Sequence, residues 1–261
     1  MKSYIKKIIK TAIRFFPAPA TVFKKQFTGN YKTWQEALKN SEGYDNNKIL
    51  ERAIKTRRLV LDGVAKYERD LRVFHDKPYV SESLAFLLWV YSKERKLSVL
   101  DIGGSFGTSY YQHLDFLKHI PDLRWAIVEQ ANYVEYGKKN FETKELKFFK
   151  THAEATASAA PNVLYLSGVL PYLEKPHEML RELLSLKIPY VILDRNQFTD
   201  GPTRLTVQKT TKMTFPTSFP CWLFNRKELM ALFSEYNILR EFRGGETEGM
   251  YYGGCLLTLS S

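Results

Sequence analysis

Lys96–Gln112 reads KLSVLDIGGSFGTSYYQ. Within it, Ser98–Ile102 has the apolar pattern of a buried strand, a glycine-rich turn follows at Gly103–Gly107, and a helix begins near Thr108. The turn falls where a strand's carboxyl end meets a helix's amino end. In open α/β sheets that crevice binds ligands.

Four chemistries compete for such a turn, and spacing separates them. A dinucleotide fingerprint needs G-x-G-x-x-G, which Gly103 and Gly107 do not supply, and a phosphate-cradling loop needs a following Gly-Lys-Ser/Thr. Gly103–Gly107 does match G-x-S-x-G, the hydrolase elbow that would make Ser105 a nucleophile. That motif requires several preceding strands, then a later acid and a histidine, whereas the last histidine is His177 and the preceding region reads as helical. The fourth is the S-adenosylmethionine pattern D-x-G-x-G-x-G, with Asp101, Gly103 and Gly107 in place and Ser105 where the middle glycine would stand. Glycines there let the backbone approach a ligand closely. Asp101 can face its cationic side, and an acid ending the next strand can hold ribose hydroxyls. Glu129, closing WAIVEQ, is that acid. His152 and Glu154 follow the third strand, toward the adenine, and Gly104, Gln130 and Ser167 complete the expected cofactor set.

Working outward, short apolar strands alternate with helices from Leu97 onward. Strands are expected at Ser98–Ile102, Arg124–Val128, Leu146–Phe149, Val163–Leu166 and Tyr190–Leu193, with helices over Thr108–His119, Tyr133–Asn140 and His177–Ser185. That order implies a parallel sheet with right-handed crossovers. Ala155–Leu173 reads as a loop plus a buried strand, and Arg226–Tyr236 as an amphipathic helix. Ile238–Phe242 and Tyr251–Leu259, joined by the polar loop Arg243–Gly249, are too close for a crossover and form an antiparallel hairpin. A parallel sheet finished by such a hairpin is the order of class I methyltransferases. Upstream, Asn30–Tyr91 looks mainly helical, with Thr33 and Glu36 spaced to cap a short helix. The chain thus divides into a tail over 1–28, a helical cap over 29–96 and an α/β domain over 97–261.

The formal charge of +11 is unevenly placed. Lys2, Lys6, Lys7, Lys10, Arg14, Lys24, Lys25 and Lys32 precede the first acid, Glu36; without them the remaining basic residues nearly balance the acidic ones. A nucleic-acid-binding core needs its basic face within the fold, so nucleic acid is not an expected partner. Ile5, Ile8, Ile9, Ala12, Ile13 and Phe16 form one apolar stripe on a helix over Ser3–Phe16 that Pro17 ends. Its charges exclude a membrane span, and either an anionic membrane surface or a protein neighbour would suit it. Cys221 and Cys255 are too few for a disulfide framework and read as core thiols of a reducing, cytoplasmic compartment. The five histidines do not cluster, so no metal is expected.

On the acceptor side, LYLSGVLPYL at Leu164–Leu173 lacks the Asn/Asp-Pro-Pro-Tyr/Phe motif of amino-group methyltransferases, which favours an oxygen acceptor. Asp194, closing the fifth strand, is the candidate general base, and His177 is a second. Arg195 and Arg204 would suit an anionic sugar or phosphate. Phe215–Phe224, with Pro216 and Pro220, reads as an aromatic loop kept out of a central strand, from which Trp222 or Phe219 could stack on a sugar ring.

YKTWQEALKNSEGYDNNKIL, VLDIGGSFGTSYYQ, WAIVEQ, LYLSGVLPYLEKP, ILDRNQF and SFPCWLFNRKEL, in that order between Tyr31 and Leu259, resemble the S-adenosylmethionine-dependent methyltransferases of bacterial surface-polysaccharide gene clusters, O-antigen and capsule. The resemblance implies the class I fold, with Asp101, Gly103, Gly107 and Glu129 at the cofactor, and leaves the acceptor open. The expectation is a cytoplasmic O-methyltransferase, peripheral to the inner membrane face, acting on a sugar or glycolipid precursor. The alternative is a non-catalytic binding or scaffold protein on the same fold.

Overall fold

The computed structural model describes residues 26–43, 47–76, 81–210, 216–247 and 250–260. The amphipathic stretch Ser3–Phe16 lies outside them.

At the centre are five parallel strands: β4 (Ser98–Ile102), β5 (Arg124–Val128), β6 (Leu146–Phe149), β7 (Val163–Ser167) and β8 (Tyr190–Thr199). β4, β7 and the first half of β8 are apolar runs buried on both faces, as a helix-covered parallel sheet requires, and β6 at the sheet's edge exposes Lys147. In β4 the alternation sends Val99 into one core, with Trp125, Phe148 and Tyr165. Leu100 and Ile102 enter the other, with Leu164, Leu166 and Leu193. The first core is closed by α2 (Asn47–Leu61), α3 (Ser81–Glu94), α4 (Thr108–Leu117) and α5 (Ala131–Asn140), the second by α6 (His152–Ala159) and α7 (Pro176–Ser185). The hairpin of β11 (Tyr236–Thr247) and β12 (Met250–Leu259) ends the sheet, with β12 antiparallel to both β8 and β11. The order is β6-β5-β4-β7-β8-β12-β11.

The remaining strands depart from the expected pattern. β1 (Phe27–Tyr31), β9 (Arg204–Lys209) and β10 (Ser218–Asn225) form an antiparallel flap. Among the described residues it joins the main sheet where Phe224 and Asn225 pair with Phe198 and Thr199 of β8. β8 therefore forks: its first half pairs with β7 up to Ser167↔Asp194, and its second half leaves β7 and meets β10. Arg195 stands at the fork with a left-handed φ of 55°. α1 (Trp34–Lys39) covers the flap through Ala37, which packs with Leu205 and Val207. Thr33 Oγ1 accepts from the Glu36 N–H at 3.2 Å, the expected cap.

Several expectations are corrected. The prolines of Phe215–Phe224 predict a loop, but Ser218–Asn225 is a strand. Pro220 is tolerated because β10 meets β8 only beyond it, so one edge needs no N–H there. Asn30–Tyr91 also contains a hairpin, β2 (Tyr67–Arg69) with β3 (Arg72–Phe74), turning through Asp70 and Leu71 at φ 50° and 62°. The helix α6 occupies part of the expected loop Ala155–Leu173, started by Thr151, whose hydroxyl accepts from the Glu154 N–H at 3.2 Å. The helix expected over Arg226–Tyr236 stops early: α8 (Arg226–Met230) passes into a short 3-10 turn and β11 begins at Tyr236. The strands of the last hairpin run through most of the expected polar loop, absorbing two bulges in β11. Cys221 and Cys255 are buried free thiols, and burial pushes Cys255 up to about 12. Among the described residues no helix is long and apolar enough to cross a membrane.

Candidate functional site

A cavity of about 620 Å³ crosses the carboxyl ends of β5, β4, β7 and β8 and continues under the flap. Its first part is the glycine turn. Gly103 holds φ 70°, and a Cβ there would lie 2.6 Å from Val169 Cγ2. A Cβ on Gly104 would lie 2.5 Å from Asp101 Oδ2. Ser105 takes φ 51°, the left-handed conformation that the glycine of the motif would adopt freely. Ser105→Gly is expected to change stability by less than about 1 kcal/mol, and Ser105→Val, β-branched in that conformation, to cost about 1–3 kcal/mol in thermal denaturation.

Two acids face the turn. Asp101 is 1% exposed, and its Oδ2 accepts from Trp125 Nε1 at 2.9 Å. Burial raises its pKa to about 7 against that bond, and the charge of Glu129 pushes the same way as burial. Glu129 is half-buried. Its Oε1 accepts from the Ser105 N–H and its Oε2 from the Gln130 N–H, both at 3.0 Å. Burial raises its pKa too, and the two N–H bonds oppose that. Gln130 itself is exposed and supplies only backbone here.

The hairpin β2–β3 forms the wall over the turn. Glu68 Oε1 accepts from Arg57 Nη2 and from Thr108 Oγ1, each at 2.5 Å, tying the hairpin to the start of α4. At the tip, Asp70 Oδ1 meets Arg195 Nη2 at 3.1 Å. Ser167 lines the cavity and donates to Asp194 Oδ2 at 3.2 Å. Asp194 is buried behind it; burial raises its pKa, and Arg195 and the Ser167 hydroxyl counter this.

Under the flap the lining includes two amides, a phenol and an aromatic ring. Gln197 Nε2 donates to Tyr172 Oη at 3.0 Å, and Tyr172 Oη donates to Gln208 Oε1 at 2.8 Å. Phe219 stands edge-on to Tyr172 at 5.2 Å. None of Glu68, Tyr172, Gln197 or Gln208 was among the expected site residues. One signal was present: polar side chains continuing an apolar strand, as in DRNQF over Asp194–Phe198.

The structure gathers Asp101, Gly103, Gly104, Ser105, Glu129, Ser167 and Arg195 around one cavity. Gly107 stands beside them as the N-cap of α4. Other expected residues lie elsewhere. His152 faces Glu182 at 3.5 Å, and Glu154 accepts from the Lys150 N–H at 3.2 Å at the start of α6. His177 stands edge-on to Phe224, its pKa lowered by burial first and then by Arg181. Arg204 pairs with Leu223 across the flap, and Trp222 Nε1 donates to the Leu173 carbonyl at 3.1 Å. Among the described residues no group of His, Cys, Asp or Glu is arranged to hold a metal.

The strand order, with its one antiparallel member inserted before the last strand and a glycine turn after the first, decides the architecture. The fold is that of a class I methyltransferase. Solved structures similar to the chain include the N-terminal domain of EvdMO1 with SAH bound, at 11% identity over 84% of this chain and 98% of that one, TM-score 0.49. Another is magnesium protoporphyrin IX methyltransferase from Synechocystis PCC 6803 with bound SAH, at 14% identity over 69% and 83%, TM-score 0.45. The Burkholderia thailandensis 1,6-didemethyltoxoflavin-N1-methyltransferase shares 12% over 90% and 94%, TM-score 0.44. No protein-family model and no curated protein matches the chain.

Proposed function

We propose that the chain transfers a methyl group from S-adenosylmethionine to an oxygen of a sugar or glycolipid. One observation carries the cofactor half of this reading. Glu129 ends the second strand with both oxygens held by backbone N–H groups, one of them from the glycine turn itself. Turn and acid therefore face one cavity as a unit, and the carboxylate keeps lone pairs for ribose hydroxyls. Asp101 adds negative charge beside the turn for the ligand's cationic groups.

The oxygen half rests on the missing Asn/Asp-Pro-Pro-Tyr/Phe motif and on a flap lined by amides and hydroxyls. The finer reading, a lipid-linked surface glycan methylated at the inner membrane face, rests on the resemblance across Tyr31–Leu259 and on the basic amphipathic stretch Ser3–Phe16.

The cofactor, when bound, supplies an electrophilic methyl group on a cationic sulfur. The protein's part is to hold an acceptor hydroxyl in line with it and to accept the hydroxyl's proton. Ser167 Oγ borders the cavity and already donates to Asp194. A proton leaving the acceptor is received by Ser167 Oγ while the serine's own proton moves to Asp194, whose burial favours the neutral acid.

Calorimetry with S-adenosylmethionine and with NAD tests the reading, and binding of NAD alone overturns it. Glu129→Ala is expected to weaken S-adenosylmethionine binding by more than about 1 kcal/mol, as loss of charge-assisted bonds does. One observation favours a second reading, a binding protein without turnover: His177 is outside the cavity lining and Asp194 is screened by Ser167. Binding of the cofactor with no transfer of labelled methyl to lipid-linked glycans selects it.

A further inference from the structure

The flap residues define what the acceptor must present. Gln197 of β8, Tyr172 of the turn after β7 and Gln208 of β9 converge from three elements, and all three line the cavity. Gln197 is 3% exposed and Gln208 8%. One phenol joins the two amides, receiving a hydrogen bond from Gln197 Nε2 and giving one to Gln208 Oε1. A hydroxyl that accepts from one amide and donates to the other fixes them with opposite polarity. Gln197 Oε1 is left buried with no hydrogen-bond partner, while the Gln208 amide turns its N–H side away from the phenol. Exchanging oxygen and nitrogen in both amides would reverse the chain and still leave one donor and one acceptor.

We infer that this amide–phenol–amide chain is the acceptor-recognition element, and that it takes a vicinal diol on a neutral pyranose ring. One hydroxyl donates to Gln197 Oε1 and its neighbour accepts from Gln208 Nε2, with Phe219 offering an apolar edge to the ring's C–H groups. A carboxylate or phosphate here would face the Gln197 oxygen, and an ammonium would face the Gln208 N–H groups, so neither charge is accepted. Any anionic group of the acceptor belongs instead toward Arg72 and Arg195, which line the same cavity. The inference deepens the methyl-transfer reading and rests on it.

The test uses the full chain saturated with S-adenosylhomocysteine. Binding of methyl mannopyranoside and methyl galactopyranoside, and of counterparts lacking one hydroxyl of the diol, is followed by saturation-transfer NMR. The intact chain is expected to bind at least one of the two diols and to lose about tenfold on removal of either hydroxyl. Gln197→Leu and Tyr172→Phe are expected to abolish that discrimination while leaving S-adenosylhomocysteine affinity and melting temperature unchanged. Equal weakening for the diol and its deoxy counterpart, or no glycoside binding to a chain that binds S-adenosylhomocysteine, overturns the diol assignment alone. Failure of S-adenosylhomocysteine to bind the intact chain overturns the methyl-transfer reading beneath it.

Discussion

Asp101→Asn will raise the melting temperature of the ligand-free chain at about pH 8 and weaken its binding of S-adenosylhomocysteine, whose amino group is cationic. The carboxylate is 1% exposed, and its pKa rises from 3.8 to about 7 because burial strips it of water. Between those values the folded chain holds a proton that the unfolded chain has released. This contribution to stability is fully present below the unfolded value and is lost as the pH rises through about 7. Full expression of such a shift is on the order of a few kcal/mol. Asparagine removes the titration and keeps an oxygen for the Trp125 N–H, so the melting curves of the two proteins should converge on acidification and separate above neutrality. Parallel curves from about pH 5 to pH 9 would mean that Asp101 ionises like an exposed carboxylate. The ligand reads the same proton with the opposite sign. A cation gains from the ionised form, so affinity in the native chain should increase through neutrality, and in the asparagine variant it should stay low and flat.

A buried acid of this kind illustrates what could be read from the chain alone. The central strands were legible because each has a short apolar run at its start or core, and β4, β7 and β8 are also punctuated by Gly103, by Asn162 and Gly168, and by Pro189. Asp101 and Glu129 were legible for a related reason: each stands at or just past the carboxyl end of such a run. His152 and Glu154 show a local rule prevailing. Thr151-His152-Ala153-Glu154 spells a helix start, and Glu154 spends its carboxylate on the Lys150 N–H. The hairpin β2–β3 is not legible in the sequence because its turn uses Asp70 and Leu71, without the glycine or asparagine that usually marks left-handed residues. The flap is not legible either, because Pro220 argues against a strand, and only the fork of β8 supplies an open edge for it. Tyr172, Gln197 and Gln208 are brought together by that fork, and no spacing along the chain announces it.

Arg57→Ala will be the most damaging single change away from the glycine turn, at about 3–5 kcal/mol of folding stability. Arg57 is 1% exposed and its partner Glu68 6%, with Nη2 and Oε1 at 2.5 Å. The guanidinium also lies over the Tyr111 ring at 4.3 Å, while its Nε and Nη1 are buried with no hydrogen-bond partner. Burial accordingly lowers the Arg57 pKa, although Glu68 and Tyr111 oppose this. The pair is thus expensive to desolvate and weak as net stabilisation, yet removing one member leaves the other charge without its counterion in the interior. Replacing both, as Arg57→Met with Glu68→Gln, removes the two charges and leaves an amide for the Thr108 hydroxyl, so most of the lost stability should return. Urea denaturation of Arg57→Met, Glu68→Gln and the double variant measures the coupling directly. A double variant no more stable than Arg57→Ala would show that packing against Tyr111, not the ion pair, sets the cost. Because Glu68 links the hairpin to Thr108 at the start of α4, the single variant should also loosen the wall above the glycine turn. Amide hydrogen exchange over β2–β3 should then accelerate in Arg57→Ala more than in the central strands.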